Sequence, residues 1–148
     1  MSVVEVELPA ERSRLCEEVL RDLPEWFGIE DATVAYIRDV AELPTFRIGD
    51  DAFLSLKQHT PLAAEVYVMG VRRAQHGQGL GSTLLRAAEA YLRARGVEYL
   101  QVKTLGPSHS DAGYAKTRGF YLARGFVPLE EIHGLWEHCP CLLLVKRL

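Results

Sequence analysis

Three glycines, each two residues from the next, lie where an apolar segment gives way to a helical pattern. Gly77, Gly79 and Gly81 follow the apolar residues 64–71, and residues 82–95 place apolar side chains at helical spacing. This order predicts a strand, a glycine loop and a helix in succession. Such a loop exposes backbone N–H groups, and the helix adds the positive end of its dipole. The natural ligand is therefore a phosphate or a pyrophosphate.

Two familiar phosphate-binding loops fit this segment poorly. A Walker loop needs a lysine before its final serine or threonine, whereas Gly81 is followed directly by Ser82. A dinucleotide fingerprint needs glycine at its first, third and sixth places, and counting from Gly77 the sixth is Ser82. The segment thus argues against ATP chemistry, and a nicotinamide-dependent oxidoreductase stays a distant alternative.

The composition is that of an ordinary globular chain. With 148 residues, 48% of them apolar and 25% charged, we expect one domain over residues 1–148. No apolar run approaches the ~18 residues of a membrane helix, and the N-terminus does not resemble a signal peptide. We therefore expect a cytoplasmic location and no membrane partner. Without a basic stripe interleaved with aromatic residues, we expect no nucleic-acid partner either.

The net charge of −3 is divided unevenly along the chain. Residues 1–70 carry 6 basic and 14 acidic side chains, and residues 71–148 carry 11 and 6. A basic second half suits a polyanionic cofactor, and an acidic first half suits a cationic acceptor. Alternatively, the two halves simply intermix on the folded surface.

The three cysteines do not form a recognisable framework. Cys16, Cys139 and Cys141 are odd in number and unevenly spaced, so we expect reduced structural thiols and no disulfide. No second cysteine pair accompanies Cys139 and Cys141, so we expect no bound metal.

The remaining periodicities predict a single α/β domain with a mixed sheet. The predicted strands are 3–8, 46–48, 52–56, 64–71, 97–105, 126–129 and 141–148, and the predicted helices are 10–20, 31–43, 82–95 and 111–123. Asp31 is a plausible N-cap of the second helix, and Gly49 marks a tight hairpin turn.

Residues 71–82 resemble the coenzyme A pyrophosphate loop of the GNAT superfamily of N-acetyltransferases. Gly79 and Gly81 match its two glycines, and His76 stands where arginine or glutamine is usual. Residues 121–126 match the superfamily's Tyr-x-x-x-Gly-Phe, and the order of elements agrees over nearly the whole chain. The resemblance implies a single-domain GNAT fold: a mixed, mostly antiparallel sheet of about seven strands with four helices, its fourth and fifth strands splayed.

The same resemblance implies acetyl-CoA as co-substrate, without a metal. Main-chain groups of the fourth strand would hold the pantetheine arm, the loop would hold the pyrophosphate, and Arg72 and Arg73 would lie near the remaining phosphate. The implied coenzyme-binding residues are Met69, Gly70, Val71, His76, Gly77, Gln78, Gly79, Leu80, Gly81, Ser82 and Tyr114.

Two residues are candidates for acid–base chemistry. An alkyl amine with a pKa near ~10 is protonated at neutral pH and needs a base before it can attack. Glu65, a carboxylate in an otherwise apolar strand, is the candidate base, with ordered water as the alternative. Tyr121 is the candidate acid for the leaving thiolate. Each also has a plain structural interpretation: Glu65 facing solvent at a strand start, and Tyr121 packing in the core.

Trp26 and Phe27 lie at the break between the first two helices, where relatives build the acceptor wall. They are candidates for substrate binding, or else core anchors.

The sequence therefore predicts an N-acetyltransferase in which a primary amine attacks acetyl-CoA directly in a ternary complex. The acceptor would be a small molecule or a peptide, and a homodimer through the final strands is compatible with the pattern. A non-catalytic acyl-CoA sensor is the main alternative function, and a ping-pong route through a cysteine is the rival mechanism.

Overall fold

The computed structural model describes residues 2–148, which form one seven-stranded sheet with helices on both faces. The strands are β1 (Val4–Val6), β2 (Thr45–Ile48), β3 (Ala52–Thr60), β4 (Ala63–Val71), β5 (Tyr99–Leu105), β6 (Val127–Ile132) and β7 (Cys141–Arg147). The helices are α1 (Pro9–Arg21), α2 (Glu30–Asp39), α3 (Leu80–Arg93) and α4 (Ala112–Ala123). None of these helices is long and apolar enough to cross a bilayer.

The sheet order is β1-β2-β3-β4-β5-β7-β6, and every neighbouring pair is antiparallel except β4 and β5. The predicted α/β class, mixed sheet, seven strands and four helices are therefore confirmed.

Some predicted boundaries move, for local reasons. Pro9 is the first residue of α1, where its missing N–H costs nothing because the first N–H groups of a helix have no helical partner. The strand before it is therefore shortened to three residues. Asp31 lies inside the first turn of α2, and the N-cap is Ile29, so the predicted cap is wrong. Asp111 is instead a true N-cap, since its side chain accepts a hydrogen bond from the Tyr114 N–H of α4.

The sheet is covered by a separate apolar layer on each face. On one face α1 and α2 pack over a cluster that includes Phe53 and Val68, and on the other α3 and α4 pack over Leu54 and Val66. The first layer is tight at Gly70, where a Cβ would lie 2.9 Å from the Val19 Cγ1.

A β-bulge and a short ladder shape the centre of the sheet. The β3–β4 register passes from Ser55 opposite Val68 to Leu56 opposite Val66, so Tyr67 is the extra residue. Tyr67 and Val68 consequently both face the α1–α2 layer, and Met69 turns to the α3 layer. The parallel ladder between β4 and β5 extends only over residues 63–66 of β4. Residues 67–71 form no ladder with β5, so the predicted splay is confirmed.

Candidate active site

A cavity of about 300 Å³ opens on the α1–α2 face of the sheet. It is bounded by α2, by the three central strands and by the loop before β7. Its lining residues are Ala32, Ala35, Tyr36, Lys57, His59, Glu65, Tyr67, Lys103 and Trp136.

Glu65 is the acidic residue in this lining, and it is 6% exposed. Its Oε1 accepts hydrogen bonds from His59 Nε2 at 2.7 Å, Lys103 Nζ at 3.3 Å and Gln101 Nε2 at 3.5 Å. No described residue donates to its Oε2. The solvent-facing interpretation of Glu65 is therefore wrong: the carboxylate is held at one oxygen and leaves the other free at the cavity.

The sheet register explains how these groups meet. Glu65 pairs with Gln101 on parallel strand β5, which brings Lys103, two residues on, to the same side of the sheet. On β3 the register skips between Gln58 and Thr60, which leaves His59 as an extra residue that reaches Glu65. The sequence does not predict this contact of His59, because a bulge has no clear sequence signal.

Tyr67 and Asp39 form a second polar pair at the cavity. The Tyr67 hydroxyl donates to Asp39 Oδ2 at 2.5 Å, and Asp39 also accepts from Arg38 Nε at 3.0 Å. Burial, followed by the Asp39 carboxylate, raises the pKa of Tyr67. Tyr67 is therefore a fixed phenol on the cavity wall.

The glycine loop lies at the other end of β4. Gly77 and Gly79 have φ of 81° and 82°, a region that L side chains rarely adopt, and a Cβ at either would meet nothing within 4 Å. Gly79 is the N-cap of α3, and no side chain caps that helix. The free N–H groups of the first turn and the open surface above the loop together suit a phosphate group.

The flanks of the loop are tied to neighbouring elements. A Cβ at Gly81 would lie 3.3 Å from the Phe120 ring, so this glycine permits the close approach of α4 to α3. Ser82 Oγ accepts from Arg124 Nε at 2.6 Å, which leaves its backbone N–H for a ligand. His76 Nε2 is 2.7 Å from the Val71 carbonyl oxygen and so orders the start of the loop.

Arg72 and Arg73, predicted to lie near a phosphate, are engaged by other groups. Arg72 donates to the Asp50 carbonyl at 2.6 Å and to Glu18 at 3.3 Å, and Arg73 pairs with Glu25. Their charges therefore compensate acidic groups of the first third of the chain rather than facing the glycine loop.

Trp26, Phe27 and Tyr114 also lie outside the cavity lining. The Trp26 ring stands edge-on to His76 with centroids 5.8 Å apart, and its carbonyl accepts from the Tyr114 hydroxyl at 2.5 Å. Phe27 packs edge-on behind Tyr36 at 6.1 Å. Trp26 therefore faces the loop and Phe27 the core, and neither lines this cavity. Their role in acceptor binding stays a prediction.

The aromatic residues that line the cavity are Tyr36, Tyr67 and Trp136. The alternation of β4 points to Tyr67, two residues after Glu65. Trp136 carries no comparable signal, because it comes from an irregular segment between β6 and β7.

Tyr121 lies on α4, on the opposite face of the sheet from the cavity. It is 5% exposed, with the rings of Phe120 and Phe126 at 5.2 and 5.4 Å. Its hydroxyl has no hydrogen-bond partner in residues 2–148, and no fully buried polar side-chain atom in that range lacks a partner. The hydroxyl therefore reaches the surface, and burial of the ring raises its pKa.

Two of the cysteines are poorly suited to nucleophilic attack. Burial raises the pKa of Cys16 to about 12 and that of Cys141 to about 11. Both thiols are therefore protonated at neutral pH, and the thiolate is the reactive form.

The chain is similar to known acetyltransferases in sequence and in fold. The model of the acetyltransferase (GNAT) family matches residues 13–126. Mycothiol acetyltransferase of Corynebacterium glutamicum is 31% identical over 108 residues, which are 72% of this chain and 34% of that protein. The chain thus spans about a third of the length of this relative.

Solved structures share the fold at lower identity. An aminoglycoside 6'-N-acetyltransferase complexed with coenzyme A has a TM-score of 0.76 and 14% identity, covering 99% of this chain and 97% of that one. The PaiA N-acetyltransferase of Thermoplasma acidophilum, also in complex with coenzyme A, has a TM-score of 0.72 and 17% identity, and both chains are fully covered.

Proposed function

The chain belongs to the acetyltransferase (GNAT) family, and on that premise we propose that it transfers the acetyl group of acetyl-CoA to a primary amine in a ternary complex. The observation that carries the proposal is Glu65, a nearly buried carboxylate with one free oxygen in a cavity beside the splayed strand β4. The names of the relatives, mycothiol and aminoglycoside acetyltransferases, support a small-molecule acceptor.

Acetyl-CoA supplies a thioester whose acyl carbon is open to attack by an amine. The N–H groups of residues 77–82 are the proposed pyrophosphate site, because Gly77 and Gly79 leave the backbone accessible. Met69, Gly70 and Val71 lie where β4 has no ladder with β5, so their main chain is the proposed contact for the pantetheine arm. Trp26, Tyr114 and His76 border this region and would order it.

Glu65 is the proposed general base. Its Oε2 would take the proton of the acceptor ammonium, directly or through one water, because Oε1 is already occupied by His59 and Lys103. His59 and Lys103 are positioning residues in this scheme, since they fix the carboxylate through Oε1. A fixed carboxylate loses little entropy when it meets the amine.

Tyr121 is the proposed proton donor to the departing sulfur. Its raised pKa keeps the phenol protonated at neutral pH, and its hydroxyl has no partner to compete for the proton among the described residues. Because phenols hold their proton more tightly than thiols, a hydrogen bond to the developing thiolate would come first and the proton would follow as the sulfur departs. The raised pKa of Cys16 and of Cys141 argues against either of these two thiols as an acylated nucleophile.

The test is acetyl-CoA-dependent release of the coenzyme thiol over a panel of amines, with mass spectrometry of the acetylated product. We expect stoichiometric thiol and acetylamine with at least one small amine. Binding of acetyl-CoA without turnover of any amine would instead support the sensor function, and neither binding nor turnover would refute both.

A further inference from the structure

The charges of the cavity point to one feature of the acceptor. We infer that the acceptor amine carries a carboxylate, bound by Lys57, on an apolar or aromatic body, as in an aromatic amino acid. This inference rests on the proposed acetyl transfer and specifies its substrate class.

The cavity lining has an excess of positive charge. The lining holds two lysines against one carboxylate, Glu65, and Lys103 already neutralises Glu65 at 3.3 Å. Asp39, at the edge of the cavity, is paired with Arg38 at 3.0 Å. The site therefore has more cationic than anionic groups.

Lys57 forms no salt bridge in the described chain, although Asp39 is near enough for the Lys57 charge to help lower its pKa. No carboxylate of the described chain lies within 4.0 Å of its ammonium, which instead stands 5.5 Å from the centre of the Tyr67 ring. Lys57 is exposed at the cavity, so an arriving anion reaches it without displacing another group. A substrate carboxylate would complete this pairing with a charge-assisted hydrogen bond.

The arrangement also suits the chemistry of the amine. Two lysines beside the site disfavour a bound ammonium, so they favour the neutral amine that can attack. An acceptor with further positive charges would be repelled for the same reason. The acidic first half of the chain thus does not make this cavity acidic, because its carboxylates are largely paired elsewhere, as Glu18 and Glu25 are.

The lining offers apolar area for the rest of the molecule. Tyr36, Tyr67 and Trp136 supply aromatic surface, and Ala32 and Ala35 keep the α2 side shallow. A volume of about 300 Å³ is at the lower end of small-molecule sites, which fits a metabolite better than a large polycation.

The experiment compares L-phenylalanine with phenethylamine, which differ only in the carboxylate. In the thiol-release assay we expect a lower KM for phenylalanine, and Lys57→Ala should raise that KM on the order of tenfold, the usual effect of one charge-assisted hydrogen bond. The KM for phenethylamine should not rise, because this amine has no carboxylate for Lys57 to bind. Lys57→Arg should restore the lower KM for phenylalanine. Lys116→Ala removes an exposed lysine of α4 outside the cavity lining and should alter the KM of neither amine.

A binding measurement keeps the inference testable if neither amine turns over. Calorimetric titration with N-acetylphenylalanine and N-acetylphenethylamine should give tighter binding of the carboxylated product, and Lys57→Ala should abolish the difference. Equal affinities, or an equal effect of Lys57→Ala on both ligands, would overturn the inference. Acetylation of other amines in that case would leave the proposed transferase function standing.

Discussion

Replacing Glu65 by glutamine removes the proposed base while keeping its shape. Three donors converge on Oε1 of this residue, and the amide oxygen can still accept from them, but the charge that balances Lys103 is lost. The Lys103 side chain is 29% exposed and stays partly solvated. We therefore expect a stability loss of only about 1–2 kcal/mol, and a fall in kcat of about 100-fold or more, the usual contribution of a general base.

Glu89 provides a matched control on the opposite face of the sheet. This α3 carboxylate is 4% exposed and pairs with Lys146 Nζ at 2.8 Å and Arg93 at 3.6 Å, so Glu89→Gln should cost at least as much stability. Its turnover should nevertheless stay near that of the parent protein, because it is remote from the cavity. The measurements are thiol release at saturating acetyl-CoA and thermal unfolding of both variants. If kcat falls in both variants in proportion to the loss of thermal stability, the assignment of Glu65 as base is refuted.

Three further predictions concern other parts of the site and the core. Tyr121→Phe should lower kcat about tenfold or more and leave the affinity for acetyl-CoA unchanged. The melting temperature should stay nearly the same, since the Tyr121 hydroxyl has no partner in the described chain. An unaltered kcat would remove the role of Tyr121 as proton donor. Gly79→Ala should cost about 1–2 kcal/mol, because φ is 82°, and should raise the KM for acetyl-CoA; an unchanged KM would argue against a phosphate at this loop. Burial raises the pKa of Cys16 to about 12 and of Tyr114 to about 12. In the unfolded chain both groups ionise at lower pH, so the free energy of unfolding is greatest below those unfolded-state pKa values and declines as pH rises from about 9 towards 12. Urea unfolding at several pH values should show this decline, and the decline should be shallower in Cys16→Ala. An identical decline in Cys16→Ala and the parent protein would contradict a raised pKa of Cys16.

The sequence predicted the elements well because their signals are local. The glycine loop, the periodicity of α3 and the hairpin turn at Gly49 all depend on neighbouring residues. The splay of β4 from β5 was implied by the family resemblance, and the short ladder confirms it.

The cavity depended on information that is not local. His59 reaches Glu65 through a bulge, Lys103 through the parallel register with β5, and Trp136 from an irregular loop. Trp26 was predicted from its position between two helices, but its direction is set by contacts with His76 and Tyr114, far along the chain. Long-range contacts of this kind have no periodic pattern in one sequence.

The most direct test of the account is amide NMR of the ¹⁵N-labelled protein titrated with acetyl-CoA. We expect saturable chemical-shift changes of the backbone amides of residues 77–82 and 69–71, and smaller chemical-shift changes near Tyr121. A spectrum in which those amides do not respond at millimolar acetyl-CoA, or in which only distant surface residues shift, would contradict the claim that this backbone holds the acetyl donor.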